Sequence, residues 1–308
     1  MNLVTFRQKL VRAHEVNNSV LCVGFDPEPS KFPGDWKDDP DKIFEFCRRI
    51  VNVTKDLVIA FKPQIAHFAA NRAEGQLERL ITHIHDQAPD VPVILDAKRG
   101  DIGTTAEQYA KEVFDRYNAD AVTLSPFLGL DTIGPYMVEK YAHKGLILLC
   151  KTSNGGSDYL QNQRLHSAGA QRGALVYEHI AITATDPAFD KSGQICLVVG
   201  ATKPEELQCV REHAPNTTLL LPGIGAQGGD IEATVAAGWH PDGLIVVNSS
   251  RDILYGPKGS APRTLENFAE MARAEALKTR DALNLAIGNT RLKALGDAHL
   301  NDPEPYGA

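Results

Sequence analysis

Eight short apolar runs constrain the fold of this chain more than any other feature. They are Val20–Phe25, Val58–Lys62, Val93–Lys98, Ala121–Ser125, Leu146–Lys151, Ile195–Gly200, Thr218–Pro222 and Leu244–Asn248. Each is continuously apolar rather than alternating, which is the pattern of strands buried on both faces and hence of a parallel sheet covered by helices. The segments between them read as helices. Asp41–Lys55 places Ile43, Phe44, Phe46, Cys47, Ile50 and Val51 at helical spacing behind Pro40. Ala66–Gln87, Thr104–Tyr117, Asp131–His143, Ala168–Thr183, Lys203–His213, Asp230–Ala237 and Thr264–Gly288 follow, and Thr104 with Glu107 permits a capping box. Eight alternating units predict an α/β chain folded as a (β/α)8 TIM barrel. A doubly wound open sheet is the alternative. Against it, Gly24-Phe25-Asp26-Pro27-Glu28 after the first run carries no glycine-rich dinucleotide fingerprint. No linker divides the chain, so one domain over residues 1–308 is expected, with a polar tail that frays from Asn289.

Composition narrows the partners. A net charge of -7 argues against a broad basic surface for nucleic acid. No apolar run approaches the ~20 residues of a membrane helix. The start of the chain lacks a signal-peptide core and begins an amphipathic helix. Five scattered cysteines, none in a CxxC pair, suggest neither a disulfide framework nor a zinc site, so the cytoplasm is the expected compartment.

Barrel enzymes carry their chemistry at the C-terminal ends of the strands. Here the third run ends in Asp96-Ala97-Lys98-Arg99-Gly100-Asp101. Asp96 and Lys98 are two apart on a strand and point the same way. Asp101 follows at the turn. Desolvating such charges costs several kcal/mol per ion unless they are paired. A structural ion pair is the plain reading of these three alone, but Lys62 at the end of the second run adds a fourth charge and favours a working site. The first run ends in Asp26, the fourth in Ser125, and the fifth in Lys151-Thr152-Ser153-Asn154.

The seventh and eighth runs end in a second cluster. Pro222–Gly229 has four glycines in eight residues, which lets backbone N–H groups approach an anion. Asp230-Ile231-Glu232 then opens a helix whose N-terminus favours anions. Gln227 adds a neutral donor, and Arg251 a fork suited to phosphate. Barrels often bind phosphate at this place. The histidines His67, His83 and His85 suggest solvated or core roles, and no metal-ligand set stands out.

In these residues the chain resembles the orotidine 5'-phosphate decarboxylase family, in its longer bacterial branch (type 2). The resemblance rests on Asp96-Ala97-Lys98-Arg99-Gly100-Asp101-Ile102 with Thr105, on Phe25-Asp26-Pro27, on Phe61-Lys62-Pro63, on Pro222–Gly229 and on Ser250-Arg251. It implies decarboxylation of orotidine 5'-phosphate to uridine 5'-phosphate, the last step of de novo pyrimidine synthesis, with no cofactor and no metal. It implies a Lys62-Asp96-Lys98-Asp101 network in which Lys98 protonates C6. Asp101, Ile102 and Thr105 would be lent by the partner subunit of a homodimer with shared active sites. Asp26, Lys62 and Thr105 match ribose contacts, Ser153 a contact to the pyrimidine amide, and Gln227 and Arg251 phosphate ligands; Pro222, Gly223 and Ser250 belong to the same phosphate-binding ends. Ser250 stands where shorter members have glycine, and Lys151–Arg164 is longer than in them, suggesting a cover over the base.

Two other functions remain open at this point. Related barrels share Asp-x-Lys-x-x-Asp and act on sugar phosphates as Mg²⁺-dependent decarboxylases or aldolases, with a glutamate where this chain has Lys62. A non-catalytic nucleotide-binding barrel would need the phosphate grip but not the four charges.

Overall fold

The structure is a computed structural model. It describes residues 3–166, 173–224 and 229–300, with side chains through 295. All eight expected strands are present, with ends within two residues of the predicted ones: β1 Leu21–Phe25, β2 Ala60–Pro63, β3 Ile94–Arg99, β4 Ala121–Leu124, β5 Gly145–Lys151, β6 Ile195–Val199, β7 Leu219–Pro222 and β8 Ile245–Ser249. They form one parallel sheet in the order β2-β1-β8-β7-β6-β5-β4-β3. Parallel bridges Phe61↔Val93 and Gln64↔Asp96 join its two edges, so the sheet curls into a barrel. The strands are almost wholly buried, as their unbroken apolar runs require.

The helices α1 Phe6–Asn17, α2 Ile43–Thr54, α3 Ile65–Ala69, α4 Glu74–Gln87, α5 Gly103–Lys111, α6 Asp158–Gln161, α7 Val176–Ala184, α8 Pro204–His213, α9 Ile231–Gly238, α10 Arg251–Tyr255 and α11 Phe268–Leu300 surround the sheet. No helix of the described residues is long and apolar enough to cross a membrane. At the N-terminal end of the strands α1 acts as a plug. The Phe6 ring lies where any side chain at Gly145 would stand, only 2.2 Å from an added Cβ. Lys9 pairs with Asp120 at 2.6 Å, and Asp120 also accepts the Val93 N–H at 2.9 Å. This closure leaves the opposite end of the barrel for chemistry.

Five local expectations are corrected. Asp131–His143 is not an α-helix but a series of 3₁₀ turns, including Leu130–Thr132, Gly134–Tyr136 and Glu139–Tyr141. Gly129 at φ +108° and the Gly134-Pro135 step break the helical ladder that the apolar spacing suggested. The segment Ala66–Gln87 is two helices, interrupted at Arg72, which is left-handed at φ +54°. Of Ala168–Thr183, residues 167–172 lie outside the described residues, and helix starts at Val176. The box from Thr104 to Glu107 is absent because α5 already starts at Gly103. Of the tail from Asn289, residues 301–308 lie outside the described residues, and the part before them is helical rather than frayed: α11 continues to Leu300, since Arg291-Leu292-Lys293-Ala294-Leu295 are strong helix formers despite their exposure.

Candidate active site

The centre of the site is the Asp96 carboxylate, which is only 7% exposed. Lys62 Nζ, itself 5% exposed, donates to its Oδ2 at 2.9 Å, and Lys98 Nζ donates to its Oδ1 at 2.7 Å. The Thr123 hydroxyl from β4 donates to the same Oδ1 at 2.9 Å. Burial alone would push the Asp96 carboxyl up, but the two ammonium groups and their hydrogen bonds outweigh it and hold the group well below the usual carboxylate range. For Lys62, burial disfavours the charged form, and the facing charges of Asp96 and Asp26 more than restore it. Asp96 and Lys62 are therefore both ionised and paired in the folded chain.

Regular strand alternation does not bring Asp96 and Lys98 together. Leu95 pairs with Val122 and Arg99 with Leu124, so the ladder is interrupted across Asp96–Lys98. Lys98 itself is left-handed, at φ +45°. For a long side chain that conformation costs on the order of 1–2 kcal/mol. The irregularity frees the Ala97 and Lys98 N–H groups, and both donate to the Thr123 hydroxyl oxygen, at 3.0 and 2.9 Å. Thr123 thus repairs the ladder while its hydroxyl donates a hydrogen bond to Asp96. The fourth strand contributes Thr123 rather than the expected Ser125, whose hydroxyl accepts from the Phe127 N–H.

These groups line a pocket of about 530 Å³ at the C-terminal end of the barrel. Asp26, Lys62, Asp96, Lys98, Ser153, Pro222, Gly223, Ser250 and Arg251 all line it. Gln227 lies outside the described residues. Asp101, Ile102 and Thr105 do not line this pocket. Asp101 accepts its neighbour Ile102's N–H at 2.8 Å, and Ile102 is 61% exposed. Another cleft, of about 590 Å³, sits at the N-terminal end beside Phe6 and Gly145 but holds no comparable charge array.

The phosphate end differs in detail from expectation. At the N-terminus of α9 the Asp230 carboxylate caps its own helix, accepting the Ala233 N–H at 2.7 Å, and so places a negative charge where an anion would sit. Instead α10 starts at Arg251 on the pocket wall, behind Ser250, which makes no side-chain cap. Gly223, at φ +112°, turns the chain after β7 and accepts the Gly229 N–H through its carbonyl at 2.9 Å. The serine at 250 is accommodated by a glycine on the first strand: a Cβ on Gly24 would stand 2.0 Å from Ser250 Oγ. Asn248 Nδ2 donates to that Oγ at 3.2 Å, leaving the hydroxyl proton free for a ligand.

Several pocket residues were not anticipated. Thr123 was hidden because a threonine in an apolar run reads as an ordinary strand former. Gln64, Asn248 and Gln161 also line the pocket, as does His67, which had been expected in a solvated or core role. Lys151 is turned away and buried, pairing with Asp158 at 2.7 Å and Glu206 at 3.4 Å. It anchors the segment that brings Thr152, Ser153 and Asn154 to the pocket.

The sequence matches the model of the "Orotidine 5'-phosphate decarboxylase / HUMPS family" over residues 19–255. The chain belongs to this family. Among its relatives, the orotidine 5'-phosphate decarboxylase of Polaromonas naphthalenivorans is 59% identical over 283 residues, covering 92% of this chain and 96% of that protein. The enzyme of the same name from Variovorax paradoxus is 58% identical, covering 92% and 99%. The solved structure of the Leishmania donovani OMP decarboxylase superposes with a TM-score of 0.75 at 34% identity, covering 92% of this chain and 99% of that one. Family membership thus coincides with a barrel of the expected form and with a charged pocket at its C-terminal end.

The pairing has a pH signature. Asp96 has a depressed folded value, so its contribution to stability is present above the unfolded aspartate value of about 3.9 and is lost as pH falls through the folded value. Asp96→Asn should destabilise the protein by about 3 kcal/mol at neutral pH, since it strands a buried ammonium. In urea unfolding, that gap to wild type should shrink progressively below about pH 4.

Proposed function

We infer that this chain decarboxylates orotidine 5'-phosphate to uridine 5'-phosphate and CO2, the closing step of pyrimidine nucleotide synthesis. The observation that carries this reading is the Lys62–Asp96–Lys98 array in the pocket of a family barrel whose relatives at 54–59% identity bear that name. Loss of CO2 from C6 leaves a carbanion with little resonance relief, so it must be met by fixed positive charge and then protonated. Lys98 fits both tasks. Its side chain is 48% exposed to the pocket, whereas that of Lys62 is 6% exposed and committed to Asp96. Asp96 holds the two ammonium groups in place before substrate arrives, so little reorganisation is needed at the moment of reaction.

The remaining residues are assigned from their positions. Asp26 and Lys62 meet the ribose, Ser153 meets the pyrimidine amide, and Leu149, Val198 and Leu220 supply apolar walls. Pro222, Gly223, Ser250 and Arg251, with Gln227, take the phosphate; the Ser250 hydroxyl oriented by Asn248 adds a donor. Binding energy from that remote group helps to orient the base.

The reading is cofactor-free and metal-free. Both oxygens of Asp96 are engaged by ammonium groups, and the Lys62 charge opposes a divalent cation at the place where Mg²⁺-dependent sugar-phosphate enzymes need a carboxylate. The working unit is a homodimer of single-domain barrels, in the cytoplasm. Asp101, Ile102 and Thr105 reach the partner's pocket. Ile102 is 61% exposed, and so are Phe127 (72%), Leu128 and Leu130 in the segment after β4, whose first residue Ser125 donates its N–H to the Arg99 carbonyl; these apolar side chains suit a second copy.

The direct test is spectroscopic loss of orotidine 5'-phosphate by purified protein, with and without EDTA. Turnover unaffected by the chelator is expected; absent turnover, or a rate restored only by Mg²⁺, would overturn the reading. Shared sites are tested by mixing subunits of two inactive variants, Lys98→Ala and Asp101→Asn. Random exchange should restore about a quarter of the sites, because each mixed dimer regains one intact site of two. If the mixture stays inactive, Asp101 does not serve the partner.

A further inference from the structure

Among the described residues, one group of thiol, imidazole and carboxylate lies apart from the pocket: Glu178, Cys209 and His213. Cys209 and His213 are four residues apart on α8, so they share a face. Glu178 is in the first turn of α7, the neighbouring helix. One ligand atom from each lies within 4.8 Å of the other two. In a tetrahedral site with bonds of about 2.0–2.3 Å, ligand atoms stand about 3.3–3.7 Å apart. The edge from Cys209 Sγ to Glu178 Oε1 is already 3.4 Å. The other edges need to close by up to about 1.5 Å, and His213, exposed in the last turn of α8, has the freedom to do so. The other carboxylate oxygen of Glu178 accepts the Leu175 N–H at 2.7 Å, which fixes the group as an outer-shell bond would.

We propose that Glu178, Cys209 and His213 form a site for one zinc-class divalent cation that staples α7 to α8. A thiolate and an imidazole select a borderline cation such as Zn²⁺ over Mg²⁺ or Ca²⁺, and three protein ligands leave a fourth position for water. The thiol donates to Glu178 Oε1. On binding, the metal replaces that proton, which leaves to solvent. The site is independent of the decarboxylation chemistry. Its consequence is mechanical: α7 and α8 flank the segment that brings Thr152 and Ser153 to the pocket, and α8 carries Glu206, the partner of Lys151.

The test is titration of metal-stripped full-length protein with Co²⁺, followed by competition with Zn²⁺. The expected result is a thiolate-to-cobalt charge-transfer band that saturates at one equivalent and is displaced by Zn²⁺ but not by Mg²⁺. Cys209→Ser should abolish the band. His213→Ala should weaken Co²⁺ binding by about a hundredfold or more, beyond what outer-shell changes cause. Both variants should retain catalytic turnover, which reports an intact fold. The other cysteines, Cys22, Cys47, Cys150 and Cys196, are buried and do not compete. No band in wild type, a band that survives Cys209→Ser, or unchanged affinity in His213→Ala would each overturn the assignment.

Discussion

A carboxylate buried at the end of a barrel strand is tolerable only because donors converge on it. Asp96 receives Lys62, Lys98 and Thr123, each within 3 Å. If one donor is removed, a charge is stranded in a poorly solvated place, at a cost of several kcal/mol. The rest of the site is arranged around that constraint. The interrupted ladder between β3 and β4, the left-handed Lys98 and the doubly accepting Thr123 hydroxyl all bring these charges together. Strain of this kind persists only where the surroundings over-determine it.

The barrel supplies the polarity of the molecule. Phe6 and the Lys9–Asp120 pair close the N-terminal ends of the strands, while the C-terminal ends open on the pocket. Along the rim, the charged Lys62, Asp96 and Lys98 come from β2 and β3, and Pro222, Gly223, Ser250 and Arg251 come from the ends of β7 and β8. The Gly24–Ser250 contact couples β1 to the end of β8 through pure sterics, since the serine hydroxyl occupies the space a side chain at 24 would need.

Most of this was legible in the sequence, for identifiable reasons. Strands buried on both faces leave unbroken apolar runs, so all eight were readable to within two residues. Charges at strand ends stand out because burial makes them costly, and the pocket gathers Asp26, Lys62, Asp96 and Lys98 as expected. Spacing failed where backbone chemistry overrode it. Asp131–His143 has helical periodicity, but Gly134-Pro135 cannot continue the ladder. The segment from Asn289 is polar, yet alanine, leucine and lysine keep it helical as far as Leu300. Thr123 was invisible because its role depends on a register interruption that no local pattern encodes. Asp101 stands out in the sequence as a third charge at the strand end, but in the folded chain its carboxylate accepts the N–H of its neighbour Ile102 and lies away from the pocket.

The central claim is that a preformed positive centre at Lys98 is matched to negative charge developing at C6. The most direct measurement compares the affinities of uridine 5'-phosphate and an analogue carrying an ionised oxygen at C6, in wild type and in Lys98→Ala. Wild type should prefer the anionic analogue by about a hundredfold or more, the range expected for a transition-state mimic. Lys98→Ala should lose most of that preference while still binding uridine 5'-phosphate. Comparable affinities in wild type, or a preference untouched by the substitution, would contradict it.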